Sequence, residues 1–185
     1  MDVVLFLLAP FSMCVALIGI HCYLGIHVLS RGVIFIDLAL AQVAALGAMF
    51  AFILGYDHGS GMTYLVSLVF TILCALFLTF TNKWRDQVSQ EAIIGVIYAF
   101  ASAAIILFID KISHGAEHLK QSLIGNLLWV TWWDVLKVVI IYSLVGAGHY
   151  FFRKQFILSS EKGSGNWLWD FLFYALFGVV ITSSV

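Results

Sequence analysis

From Val3 to Val185 the chain is a series of apolar segments of about 20 residues, each interrupted by a short polar break. A helix of that length with almost no charge crosses about 30 Å of hydrocarbon. The breaks fall near residues 27–32, 57–61, 82–91, 110–122 and 153–166 and leave six candidate spans. These run approximately Val3–Ile26, Val33–Tyr56, Met62–Asn82, Gln90–Ile109, Trp132–Phe152 and Trp167–Val185. The predicted fold is an all-α, polytopic transmembrane helical bundle, with residues 1–185 forming a single membrane domain. Any function must then act on, in or across a bilayer.

Composition supports this. Hydrophobic residues make up 63% of the chain and charged residues 10%, against about 45–50% and about 25% in soluble domains. The net charge of −1 supplies no electrostatic footprint for nucleic acid or an acidic substrate. Cys14, Cys22 and Cys74 show no CxxC or other metal spacing and are expected to be buried, inert thiols. Asp2 stands where a signal peptide would carry basic residues, and the apolar run that follows is too long for one. The first segment is therefore expected to be a retained span.

Arg31, Lys83, Arg85, Arg153, Lys154 and Lys162 lie in the first, third and fifth breaks, against Lys111 and Lys120 in the fourth and none in the second. The bias places the odd breaks in the cytoplasm and both ends of a six-span chain outside. In the third break Ser89 is a candidate N-cap, and Glu91 puts a carboxylate in the first turn that follows. In the fourth break Leu119, Leu123 and Leu127 recur at i, i+4, i+8, which predicts a short amphipathic helix at the outer interface. Trp129, Trp132 and Trp133 follow as an aromatic belt. The fifth break contains Ser159, Ser160, Gly163, Ser164 and Gly165 and reads as a flexible cytoplasmic loop.

The second span holds the unusual residues. Gly47, Ala51 and Gly55 sit at i, i+4, i+8, a spacing that lets helices approach closely in lipid. Asp37 lies near its start, followed by Gln42, and an intramembrane carboxylate is costly enough to mark a candidate pathway residue. His114 and His118, four apart around Glu117, could turn two imidazoles toward one ion on the outer face; a solvated surface helix is the plainer alternative. His21, His27 and His149 read as interfacial, and His58 as a loop residue. No phosphate-binding glycine loop, nucleophile elbow or His/Cys zinc framework is present, so no ATP hydrolysis is predicted for the chain itself.

Four stretches together resemble the permease subunits of metal-ion ABC importers of the zinc and manganese uptake class. They are His27–Gly47, with its basic turn, Phe35 and Asp37; Gln90-Glu-Ala-Ile-Ile-Gly95; Leu123–Asp134; and Asp170 with the apolar run to Val185. The resemblance implies a permease importing a divalent ion of the zinc, manganese or iron class, with no permanently bound cofactor. It also implies a separate ATPase subunit as the sole user of ATP, an extracytoplasmic metal-binding protein docking near His114–Trp133, two permease copies per complex, and a location in the cell membrane. The coupling segment to the ATPase would be Gln155, Phe156, Ser159, Ser160 and Glu161, and the ion pathway would include Asp37 and Gln42.

Two departures stand out. The family commonly carries Asp and His four residues apart in the second helix, where an ungapped alignment puts Leu38 and Gln42. Asp37 and Gln42 are five apart, about 140° around a regular helix, which makes a poor chelating pair. The chain also stops at Val185 within an apolar span, so further C-terminal helices are expected. The alternative to transport is an intramembrane enzyme or assembly subunit. An enzyme predicts ionisable groups clustered deep in several spans, whereas Asp37, Asp134 and Lys137 lie toward span ends.

Overall fold

A computed structural model describes residues 3–57, 59–109, 129–162 and 166–184. The described segments are helices joined by turns: α1 (Val3–Arg31), α2 (Ile36–Ile53), α3 (Gly61–Thr81), α4 (Gln90–Ile109), α5 (Trp132–Phe151), α6 (Arg153–Lys162) and α7 (Trp167–Ser184). A short 3₁₀ turn, Asn82–Trp84, extends α3. Six of these helices, all but α6, are long and apolar enough to cross a membrane. The six spans and their order are as the apolar runs predict.

The centre of the bundle is α2. It packs on α3 and α4, and α3 in turn packs on α7. Gly47 is what brings α2 and α3 together. A Cβ there would lie 2.7 Å from Ser67 Cα, so only a bare backbone fits. Ala44, Ala45, Ala48 and Ala51 are buried beside it, and this small-residue face replaces long side chains with close backbone packing. The predicted stripe ends sooner than expected. Gly55 lies beyond the end of α2 with φ +87°, in the turn that leaves the helix, because a left-handed residue there costs glycine least.

Helix ends are set by side chains that satisfy first-turn N–H groups. Ser60 accepts from Thr63 N–H at 3.1 Å, and Ser89 accepts from Ala92 N–H at 3.2 Å, as its N-cap reading predicts. Thr131 and Asp134 form a reciprocal capping box at the start of α5. Glu91 does something else: its Oε1 accepts from Phe35 N–H at 2.9 Å, capping α2 from α4.

Two local expectations are corrected. The first span does not stop at Ile26; α1 continues to Arg31 and turns at Gly32, φ +69°. The fifth break is not a loop through Lys162. Residues Arg153–Lys162 form α6, held by tertiary contacts that Ser-rich composition does not advertise. Phe156 is 1% exposed and stacks on His149 with centroids 3.9 Å apart, while Ser159 and Ser160 bond to α1 and α7. Those contacts outweigh weak local propensity, as tertiary packing routinely does for short helices.

The cysteines are all free, but only Cys74 is buried; Cys14 is half-buried and Cys22 exposed on α1. The expected outer interfacial helix around Leu119–Leu127, together with His58, His114 and His118, lies outside the described residues.

Candidate functional site

Arg31 closes α1 with a side chain that is 6% exposed, and three of its nitrogens have partners. Nη1 donates to Asp170 Oδ1 at 2.8 Å, Nη2 to Ser159 Oγ at 2.7 Å, and Nε to Ser160 Oγ at 3.2 Å. Asp170 opens α7 and is equally enclosed. Its Oδ1 also accepts from Ser159 Oγ at 2.6 Å, and its Oδ2 accepts from Asn82 Nδ2 at 2.7 Å. The guanidinium lies over the Phe173 ring, 4.2 Å from its centroid, a favourable cation–π placement. One buried polar knot therefore ties α1, the turn after α3, α6 and α7 together.

Burying two charges is costly, and it is tolerated only where geometry is good and every remaining lone pair and proton is engaged. Here both carboxylate oxygens of Asp170 and three of the five guanidinium N–H groups of Arg31 have partners. The knot therefore offers no free nucleophile or open ligand position; its chemistry is mechanical connection. It also gathers residues from the first, third and fifth breaks at one end of the bundle. Tyr64 Oη and Ser183 Oγ, 2.9 Å apart, join the start of α3 to the end of α7 at the opposite end.

Next to the knot, His27 and His149 are both buried rather than interfacial, at 6% and 0% exposure. His27 Nδ1 lies 3.0 Å from Ser160 Oγ. His149 has no hydrogen-bond partner at either ring nitrogen among the described residues. Phe156 stacks on it, and Tyr23 and Phe173 present their rings edge-on or face-on around it. His21 is half-buried and bonds to Leu17 carbonyl oxygen at 2.9 Å.

Asp37 and Gln42, the described residues expected to handle an ion, are not brought together. Asp37 is exposed in the first turn of α2, and Gln42 is half-buried one and a half turns later on the same regular helix. Among the described residues no group of three or more His, Cys, Asp or Glu side chains could hold a metal. Of the residues assigned to coupling, Phe156, Ser159 and Ser160 face inward and Gln155 is exposed, while the side chain of Glu161 lies outside the description. The sequence reading missed Arg31 and Asp170 as a pair. Their signal was present but faint: opposite charges at the same-side ends of the first and last spans.

Apolar helices, a small-residue core and a charged knot at one end define a multi-pass integral membrane protein. The family model described as "ABC 3 transport family" matches residues 6–164, and the chain belongs to that family, whose members are transporters of the cell membrane. Among curated proteins it is similar to the manganese transport system membrane protein MntC of Listeria monocytogenes. The two are 25% identical over 143 residues, 74% of this chain and 46% of that protein. The chain thus spans about half the length of this relative. No solved structure matches it.

Proposed function

We propose that this chain acts as a permease component of an ABC importer for a divalent metal ion, with manganese as the first candidate. The family match across residues 6–164, which runs from α1 through the whole of α6, carries this reading. The manganese assignment rests on the name of the Listeria relative. Zinc and iron remain the alternative cargoes.

Transport of this kind needs a driving force from a separate ATPase subunit and an ion delivered by an extracytoplasmic binding protein. Two permease copies fit an ATPase dimer that closes on two nucleotides. In this reading α6 receives the push, and the knot passes it on. Ser159 and Ser160 bond directly to the end of α1, and Ser159 also bonds to the start of α7, so α6 cannot shift without moving both. Asp37 would face the ion pathway with Gln42 nearby, and His114 and His118 would form an outer receiving site.

The test is uptake of radioactive manganese by cells lacking their own importer, expressing this chain with an ATPase and a binding protein of the same system. Uptake should need all three components, and zinc or iron should compete only if the site accepts them. Metal movement into vesicles by the purified chain alone would replace the ABC reading with a channel or secondary carrier.

A further inference from the structure

A cleft of about 620 Å³ opens between α1, α5 and α6, with one side open to the outside of the bundle. Its lining is graded. Ile20 and Tyr23 lie at its deep end, while Ser30 of α1 and Tyr150 and Arg153 of the α5–α6 corner lie at the end that carries the knot. From Ser30 to Ile20 is ten residues of helix, about 15 Å, which is the depth of one bilayer leaflet. Gly146 forms part of the opposite wall, and a Cβ built there meets nothing within 4 Å, so the missing side chain is open space.

The charge at the mouth is unmatched. Arg153 is exposed and forms no salt bridge among the described residues; its guanidinium only approaches the Tyr150 ring, 5.4 Å from the centroid. Lys154 beside it is exposed as well. The basic-residue bias of the chain puts this end in the cytoplasmic leaflet, where anionic lipids concentrate and basic pockets between helices capture their headgroups. An apolar trough one leaflet deep, with a free guanidinium at its rim, matches an amphiphile with a negative head and a hydrocarbon tail.

We propose that this cleft is a binding site for one anionic phospholipid of the cytoplasmic leaflet. Its phosphate sits at Arg153, with the Ser30 hydroxyl within the same rim. One acyl chain lies along Ile20, Tyr23 and Gly146. Lipid seated there contacts α6 and the α1 segment that ends at Arg31, so occupancy braces the outer side of the same junction that the knot holds from inside.

The experiment is native mass spectrometry of the full chain released from detergent micelles doped with dioleoylphosphatidylglycerol or dioleoylphosphatidylcholine. One phosphatidylglycerol should be retained through delipidation steps that strip phosphatidylcholine. Arg153→Gln, an exposed change that leaves the fold intact, should weaken phosphatidylglycerol retention about tenfold and leave phosphatidylcholine unchanged. Gly146→Leu should lower retention of both by filling the trough, with unchanged thermal unfolding showing that the bundle is intact. Equal retention of the two lipids, or wild-type retention by both variants, overturns the proposal. So does full competition by glycerol phosphate, which would mark a free-anion site, or protection of the cleft only in a dimer, which would make its occupant a second copy of the chain.

Discussion

Arg31 Nη1 and Asp170 Oδ1 lie 2.8 Å apart, 139 residues apart in sequence, with side chains only 6% and 3% exposed. The first and last described spans are therefore joined at one end by a charge pair shut away from solvent. α6 joins that pair through Ser159, which bonds to both residues.

Removing one member of the pair should be much worse than removing both. Arg31→Met or Asp170→Leu alone strands a buried charge and should lower stability by about 3–5 kcal/mol, whereas the double variant should recover much of that loss. Unfolding of the three variants in mild detergent measures it. Equal losses for single and double variants would show that packing, not charge pairing, holds the junction.

Glycine positions should divide sharply by what surrounds them. Gly47→Ala places a methyl 2.7 Å from Ser67 Cα and should cost about 1–3 kcal/mol through forced separation of α2 and α3. Gly95→Ala, on an open face of α4 with nothing within 4 Å, should be neutral or stabilise by about 0.5–1 kcal/mol. Thermal melts of the two proteins, run side by side, decide the matter.

The distribution of basic residues predicts labelling from outside intact cells. In a background without the native cysteines, Arg85→Cys should be protected from an impermeant maleimide, and His118→Cys should react. The reverse pattern would invert the topology and move α6 to the wrong side for an ATPase.

If Asp37 lines the ion pathway, Asp37→Asn should abolish metal-dependent rescue of an uptake-deficient strain at unchanged membrane expression. His114→Ala with His118→Ala should give a milder defect, since an outer site only raises local ion concentration. Full rescue by Asp37→Asn would leave that carboxylate with an interfacial role alone.

If α6 receives an ATPase, the contacts should come from its exposed side. Photocrosslinking residues at Gln155 or Leu158 should trap the ATPase, while those at Phe156 or Ser159, which are buried, should disturb the permease itself. Crosslinks of equal yield at all four positions would mean that α6 leaves the bundle when the ATPase binds.

The sequence alone determined the number, order and approximate limits of the spans, because the hydrocarbon thickness sets a length that apolar runs either meet or miss. It also located the Ser89 cap, since capping is settled within a few residues of chain. Gly47 was legible as a close-approach residue for a similar reason: small side chains at helical spacing have few other uses in lipid. Only the tertiary structure decided the rest. Composition called 153–166 a loop because helix propensity is weak there, and part of what holds Arg153–Lys162 in place is Arg31, more than a hundred positions away. The same holds for Arg31 with Asp170 and for the burial of His27 and His149. Side-chain pairing between distant spans depends on which helix faces meet, and that is fixed by packing rather than by any local pattern in the chain.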